Sequence, residues 1–146
     1  MSYTNLLYHV VYGTKGRVPL ITSDLKSDLH GYLGGIVRGL NCVPIEINGM
    51  AEHVHLLVRI RPTISVSDFL SKLKSSSSLW AKRKTKRRFA WQAKYGAFTV
   101  SESQVGRVRQ YIRDQEKHHR RISFEQEFEA LLSGNRIDFD RRFLWA

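Results

Sequence analysis

The sequence predicts an α+β fold of the ferredoxin-like βαββαβ class, followed by additional C-terminal helices. Three observations predict it. Four segments are β-prone or alternate between apolar and polar residues, segments with helical spacing separate them in the order β-α-β-β-α-β, and two further helical segments follow. An antiparallel sheet with both its helices on one face leaves the other face open. We expect the first of the C-terminal helices to cover that open face.

The first strand and the first helix are predicted by simple patterns. Residues 6–12 are apolar and β-prone and end at the turn sequence of residues 13–16, Gly-Thr-Lys-Gly. Residues 24–38 then carry apolar side chains at helical spacing, behind the possible N-cap residues Thr22 and Ser23. These segments supply the first β-α pair.

A hairpin is predicted next. Residues 43–48 alternate between apolar and polar side chains, and residues 49–52 form a turn into a further strand, residues 52–60. Because successive side chains of a strand point to opposite faces, one face of this strand is purely apolar, with Val54, Leu56, Val58 and Ile60. The other face carries His53, His55, Leu57 and Arg59.

The second helix and the fourth strand complete the predicted sheet layer. Ser65 and Asp68 have the spacing of a capping box, and apolar residues follow at helical spacing as far as Trp80. We keep the serines at residues 75–78 helical because they interrupt neither the spacing nor the length of the helix. Residues 97–100 are predicted as the fourth strand.

The C-terminal part is predicted as two helices and an apolar tail. Ser101 and Gln104 resemble a capping box that opens a third helix through about Lys117. A second pair of this kind, Ser123 and Gln126, caps a short fourth helix. The apolar end of the chain, residues 137–146, is expected to dock on the rest.

Composition indicates one domain with an anionic partner. The 146 residues are 42% hydrophobic, which is enough for a single core, and we expect one domain over residues 1–146. The formal net charge of +11 and the pI of about 10.2 favour nucleic acid as the partner. Six of seven consecutive residues are cationic, a density that repels itself unless an anion binds, and these six are candidate DNA contacts: Lys82, Arg83, Lys84, Lys86, Arg87 and Arg88.

Several classes of protein are disfavoured. The one cysteine, Cys42, cannot form an intramolecular disulfide and is expected to be a small buried apolar residue. We find neither a membrane-spanning window nor the basic region of a signal peptide, so we expect no membrane partner and a cytoplasmic location.

The candidate chemistry begins with two histidines on one face of a strand. His53 and His55 point the same way about 7 Å apart and can close on one metal ion. A bare His-x-His pattern is more often a half-exposed strand, so a further ligand and a reacting group are needed. On the predicted third helix, Tyr111 and Gln115 are four residues apart and therefore neighbours.

If that helix lies over the histidine strand, each side chain has a role. Gln115 can offer its amide oxygen as a third ligand, and Tyr111 can act as a nucleophile toward a phosphate polarised by the metal. Cutting and rejoining through a phosphotyrosine ester needs no ATP, and no Gly-x-x-x-x-Gly-Lys-Ser/Thr loop occurs. The plainer alternatives are a tyrosine at the core edge and a solvated amide. We treat His118 and His119 as a polar helix end and assign them no metal.

These residues resemble a known family. The run His53-Val54-His55-Leu56-Leu57 resembles the HUH motif, in which one hydrophobic residue separates two histidines. Residues 111–120, Tyr-Ile-Arg-Asp-Gln-Glu-Lys-His-His-Arg, resemble the Tyr-Ile-x-x-Gln-x-x-His-His signature of the single-tyrosine transposases of bacterial and archaeal insertion sequences. Residues 8–15, 89–92 and 95–101 are also similar to blocks of that family, which includes relatives associated with REP sequences.

The resemblance implies specific roles. His53, His55 and Gln115 would bind a divalent ion, most simply Mg²⁺ or Mn²⁺, and Tyr111 would form a 5′-phosphotyrosine link to single-stranded DNA and release a 3′-hydroxyl. It also implies a homodimer in which the tyrosine helix can act in trans, hairpins at the element ends as the DNA recognised, and a prokaryotic, nucleoid-associated location. Arg107 and Arg113 flank Tyr111 on its helix and join the candidate DNA contacts.

Two alternatives stay open at this point. One is a relaxase or replication initiator that uses the same chemistry on other DNA. The other is a non-catalytic, or domesticated, single-stranded nucleic-acid-binding protein, in which residues 82–88 bind the backbone and Trp80, Phe89 and Trp91 stack on bases.

Overall fold

The computed structural model describes residues 2–145 and contains one antiparallel sheet. Its strands are β1 (Leu7–Gly13), β2 (Val43–Met50), β3 (His53–Arg59) and β4 (Gly96–Val100), in the spatial order β2-β3-β1-β4. All three strand pairs are antiparallel, and the pairing of β2 with β3 contains an irregularity between Pro44 and Glu46. This is the strand order of a ferredoxin-like sheet, as the sequence predicts.

The helices follow the predicted order, with one exception. Their bounds are α1 (Ser23–Gly39), α2 (Val66–Thr85), α3 (Val105–Arg113), α4 (Gln115–His118), α5 (Phe124–Gly134) and α6 (Arg141–Leu144). Ser65 accepts a hydrogen bond from Asp68 N at 3.1 Å, and the serines at residues 75–78 are helical, as predicted. Buried Ser77 bonds to Leu73 O at 2.7 Å, so its hydroxyl is satisfied inside the helix.

The exception is the predicted third helix. It begins with a separate 3-10 turn at Glu102–Gln104, and Ser101 makes no side-chain cap, so the predicted capping box is wrong. The helix also ends at Arg113, because Asp114 has φ −88° and ψ 21° and separates α3 from α4. Gln115 therefore begins a new short helix instead of continuing the one that carries Tyr111.

The main core lies between the sheet and the helices α1 and α2. The apolar side of β3 faces this core, and Val54, Leu56 and Val58 are fully buried there. Leu29 and Leu33 of α1 pack on the same side. The two-residue period of β3 is therefore borne out, and its histidine side faces away from the main core.

The second face of the sheet is covered by two elements. The helix α3 packs against β2 and β3, as expected for the tyrosine helix. The helix α5 fills the rest: Phe124, Phe128 and Leu132 pack with Val11 and Phe98 in a second apolar cluster. Leu144 and Trp145 join this cluster, so the apolar tail docks as predicted, while Phe143 stays exposed.

Two further predictions concern burial and hydropathy. Cys42 is buried within the main core cluster. Among residues 2–145, no helix combines the length and the apolar character required to cross a bilayer.

Candidate active site and metal centre

The site is built on the strand β3. His53 and His55 point away from the main core and are nevertheless fully buried, at 0% exposure each. In the register with β1, His53 lies opposite Gly13 and His55 opposite Val11. The sheet supplies the floor of the site, and the C-terminal helices supply its cover.

Gly13 makes room for that cover. The Phe124 ring of α5 stacks on the His53 ring with centroids 4.0 Å apart. A Cβ at position 13 would lie 2.7 Å from Phe124 Cε2, so no larger residue fits without moving that ring. The glycine thus allows α5 to close over the first histidine.

The outer nitrogens of both rings are held by hydrogen-bond partners. His53 Nδ1 lies 2.6 Å from Glu52 Oε1, and His55 Nδ1 lies 2.8 Å from Nε2 of buried His9. A carboxylate can only accept, so His53 carries its proton on Nδ1 and turns Nε2 into the site. Carboxylate–histidine pairs of this kind orient metal ligands.

The predicted third ligand reaches the same point. Gln115 is fully buried, and its Oε1 lies 3.0 Å from His53 Nε2. Asn48 of β2 fixes the preceding turn by donating to Ile112 O at 2.9 Å and to Arg113 O at 3.1 Å. Sheet and helix are therefore tied together directly beside the site.

A carboxylate that the sequence analysis did not assign lies at the centre. Glu127 of α5 is 1% exposed, and its Oε1 lies 3.0 Å from His55 Nε2 and 3.4 Å from His53 Nε2. Its Oε2 accepts a hydrogen bond of 2.5 Å from the Tyr111 hydroxyl. The available signal was its position: Glu127 follows Phe124 by three residues and so lies on the apolar face of its helix.

His119 also reaches this centre, although its sequence position suggested only a polar helix end. Its Nδ1 lies 3.0 Å from Ile122 O, which can only accept. Its Nε2 lies 3.0 Å from Glu127 Oε1 and 3.2 Å from Gln115 Oε1. His118 instead packs its ring against Tyr111, with centroids 4.6 Å apart.

The electrostatics favour a positive charge between these groups. Burial lowers the pKa of His55 to about 4, against the opposing effect of Glu127, so this ring is neutral. Burial alone would lower the pKa of His53 too, but hydrogen bonds with Glu127, Glu52 and Gln115 outweigh it and raise that pKa. A cluster of acceptors that attracts a proton in this way also attracts a metal cation.

Hydrogen bonds also set the protonation states of the Glu127 carboxyl and the Tyr111 phenol. Burial opposes ionisation of Glu127, yet hydrogen bonds from His119, His53 and His55 hold the pKa of its carboxyl well below the usual range. Burial, together with the Glu127 hydrogen bond and charge, raises the pKa of Tyr111. The phenol therefore stays protonated and donates a hydrogen bond to the Glu127 carboxylate.

The donor set suits a divalent ion. Imidazole nitrogens combined with amide and carboxylate oxygens form a mixed set that Mn²⁺ and Zn²⁺ accept and that Mg²⁺ tolerates. One ligand atom from each of His53, His119 and Glu127 lies within 4.8 Å of the others. The side chains present thus fit a metal ion of the kind expected from the sequence.

Half of the eight candidate DNA contacts lie together at the end of α2. A groove of ≈ 890 Å³ is lined by Lys15 and by four of the six cations of the basic run: Lys82, Lys86, Arg87 and Arg88. The groove lies beside the end of β1, because Lys15 N donates to Ala90 O and Gln92 N donates to Gly13 O. It is therefore close to the strand end that faces His53.

The other candidate DNA contacts lie elsewhere. Lys84 forms an ion pair with Asp28 at 3.2 Å, and Arg83 is exposed on the same helix. On α3, Arg107 is exposed, whereas Arg113 pairs with Glu46 at 3.0 Å.

The aromatic residues expected for base stacking are mostly unavailable. Phe89 and Trp91 are 2% and 8% exposed in the main core, and Trp91 Nε1 donates to Ser77 Oγ. Trp80 stacks on Tyr32 with ring centroids 4.7 Å apart. This packing counts against the stacking surface of the non-catalytic alternative.

Sequence comparisons place the chain among known proteins. The family model described as Transposase IS200 like matches residues 2–115. The chain is 29% identical over 118 residues to the transposase for insertion sequence element IS200 of Salmonella typhimurium, covering 76% of this chain and 77% of that protein. It is also 29% identical over 125 residues to the ISDra2 transposase TnpA of Deinococcus radiodurans, with coverages of 75% and 84%.

Solved structures agree with the sequence comparisons. A putative transposase from Deinococcus radiodurans superposes with a TM-score of 0.65 at 25% identity, over 78% of this chain and 93% of the other. A REP-associated tyrosine transposase bound to a REP hairpin gives a TM-score of 0.62 at 11% identity, over 82% and 72% of the two chains, and so shares the fold. With most of its length matched by the family model, the chain belongs to the IS200-like transposase family.

Proposed function

We propose that this transposase cleaves and rejoins single-stranded DNA at the ends of an insertion sequence through a covalent bond to Tyr111. One observation carries the proposal. A single buried cluster joins the phenol of Tyr111 to His53, His55 and Gln115, since Glu127 contacts all four. Glu127 alone separates the nucleophile from three candidate metal ligands, an arrangement suited to metal-assisted phosphoryl transfer.

The covalent step follows from the phenol. The Tyr111 oxygen attacks a backbone phosphorus, a new bond forms between that oxygen and phosphorus, and the bond from phosphorus to the 3′ oxygen breaks. The phenol gives up its proton, and the departing 3′ oxygen takes one up as a hydroxyl. The 5′-phosphotyrosine ester preserves a phosphodiester, so a later 3′-hydroxyl reverses the step without ATP.

The metal would be held by His53, His55 and Gln115. When bound, a divalent ion polarises the scissile phosphate and offsets the charge that develops on it. The chain's own contribution is to orient these ligands through Glu52 and His9 and to exclude water from the fully buried rings.

We further propose that the site closes within one chain. Gln115 and His53 of the same chain are 3.0 Å apart, and Asn48 ties α3 to β2 of that chain. Fully buried Ile112 and the pairing of Arg109 with Glu46 at 3.3 Å fasten the helix further. These contacts favour action in cis over exchange of the tyrosine helix between two subunits.

The test of the proposed function is a covalent adduct. Labelled single-stranded DNA carrying an element end is incubated with the protein and Mn²⁺ or Mg²⁺, then run on a denaturing gel. We expect label on the protein from a strand labelled at its 3′ end, and a shortened free strand from one labelled at its 5′ end. EDTA should abolish both products. Absence of an adduct with either metal would contradict the proposal.

The basic groove is proposed to hold DNA, including hairpins at the element ends. Replacing Lys86, Arg87 and Arg88 with glutamate should weaken DNA binding by about tenfold or more at fixed salt, because phosphate contacts and counterion release are lost. The slope of log affinity against log salt should fall by about three. Fluorescence anisotropy with a labelled hairpin measures both quantities.

A matched control changes the same charge elsewhere. Replacing the exposed residues Arg136, Arg141 and Arg142 with glutamate leaves the groove intact. The ion pairs this removes are exposed and contribute little to stability. If both triple variants lost affinity equally, the groove would not be the DNA site. Mn²⁺ affinity should stay unchanged in both.

A further inference from the structure

Glu127 is a central group of the site and, like His119, lies outside the residues matched by the family model, which end at Gln115. It belongs to α5, which opens with a complete capping box formed by Ser123 and Gln126. A carboxylate at 1% exposure is costly unless it is paired. A carboxylate buried in this way needs a cation or hydrogen-bond donors beside it.

The two oxygens of Glu127 face different halves of the site. Oε1 lies 3.0 Å from His55 Nε2 and 3.4 Å from His53 Nε2, while Oε2 lies 2.5 Å from the Tyr111 hydroxyl. Gln115 Nε2 also donates to Oε2, at 3.2 Å. The carboxylate is thus the only group among the described residues 2–145 that contacts both the histidine pair and the phenol within hydrogen-bond range.

The spacing on the histidine side matches that of ligands around one ion. Ligand atoms at right angles around an ion with bonds of about 2.1 Å are about 3.0 Å apart. The separations from Glu127 Oε1 to His55 Nε2 and from Gln115 Oε1 to His53 Nε2 are both 3.0 Å. These pairs have the spacing of neighbouring ligands of one metal.

The direction of the ring nitrogens supports the same reading. Glu52 Oε1 and Ile122 O lie against Nδ1 of His53 and His119, so Nε2 of each ring faces Glu127. Several atoms that can bind a metal therefore converge on one point.

Resting on the proposed function, we propose that Glu127 bridges the site: Oε1 is a fourth protein ligand of the metal, and Oε2 orients the Tyr111 hydroxyl beside it. The nucleophile is thereby linked to the metal centre through one side chain. The ligand set then combines residues on β3 and α4 with one on α5.

The test compares Glu127→Gln with a matched control, Glu129→Gln. Glutamine keeps the size of the side chain but removes its charge. Glu129 lies on α5 as Glu127 does, but it pairs with Arg141 of α6 and not with the site. With Mn²⁺ alone as the probe and no DNA present, isothermal titration should show affinity reduced by about tenfold or more in Glu127→Gln. Glu129→Gln should bind as the wild type does.

A second readout tests the orienting role. At saturating Mn²⁺, Glu127→Gln should form the DNA adduct more slowly while its DNA affinity stays at the wild-type value. A purely structural role would lower the melting temperature and leave Mn²⁺ affinity unchanged, and that result would overturn the proposal.

If Glu127→Gln fails to fold, the wild-type protein can still test whether Glu127 binds the metal. In crystals grown with Mn²⁺, the anomalous signal should place the ion about 2.2 Å from Glu127 Oε1. An ion on His53 and His55 with Glu127 turned away would overturn the inference. It would leave the proposed function standing, because that proposal fails only if the wild type forms no adduct.

Discussion

Replacing Tyr111 with phenylalanine should abolish the covalent adduct, reducing it by about a thousandfold or more, because the phenol oxygen is the proposed attacking group. The ring itself should stay in place. It packs against His118 and lies beside His55, with centroids 5.9 Å apart, and neither contact needs the hydroxyl. DNA affinity and Mn²⁺ affinity should therefore remain near the wild-type values, measured by anisotropy and by isothermal titration.

The matched control for this prediction is Tyr32→Phe. Tyr32 stacks on Trp80 at the helical side of the sheet, and losing its hydroxyl should leave adduct formation unchanged. Because Tyr111→Phe removes one of the hydrogen-bond donors to Glu127, a modest change in stability is expected and a melting curve should accompany the assay. An adduct that persists in Tyr111→Phe would show that another residue is the nucleophile.

Local periodicity explains why these parts of the site could be predicted. Alternation along β3 is enough to place His53 and His55 on one face, since the strand repeat is two residues. A separation of four residues likewise puts Tyr111 and Gln115 side by side, although the chain breaks at Asp114 between them. The prediction held in spite of the break because Gln115 still begins the next helical turn.

Glu127 could not be assigned a partner for a different reason. Its burial was readable from the apolar spacing of α5, but its contacts are with His53 and His55, more than 70 residues earlier in the chain. No local pattern fixes which face of the sheet a C-terminal helix will cover. The same limit applies to Arg113, whose pairing with Glu46 depends on how α3 lies on β2.

The break at Asp114 has a tertiary origin. Asn48 Nδ2 donates to the carbonyl oxygens of Ile112 and Arg113, the last residues of α3. A helix C-terminus leaves its last carbonyls without helical partners, and the strand supplies one here. The helix is predicted to continue through about Lys117 because Asp114 alone is not a strong helix-terminating residue.

Mixing two inactive variants should fail to restore activity, which is the expected result if each site closes within one chain. Tyr111→Phe keeps the histidines, and His53→Gln keeps the tyrosine, so a site that combines chains could assemble one intact copy from the two. Random pairing in a dimer with exchanged helices would restore about one quarter of the wild-type sites. Contacts between α3 and its own β2 predict no recovery above background.

The experiment requires conditions under which the two chains can exchange their tyrosine helices. Co-expression of the two variants with different tags, followed by the adduct assay with 3′-labelled DNA, allows pairing during folding. A chain carrying both substitutions is the negative control. Wild type co-expressed with that chain shows how much adduct one intact chain forms when its partner is inactive. Label on the His53→Gln chain would mean that its tyrosine reaches the histidine of a second subunit. The anchoring of Ile112 and Arg113 by Asn48 would then have to form between subunits, and the site would require a dimer.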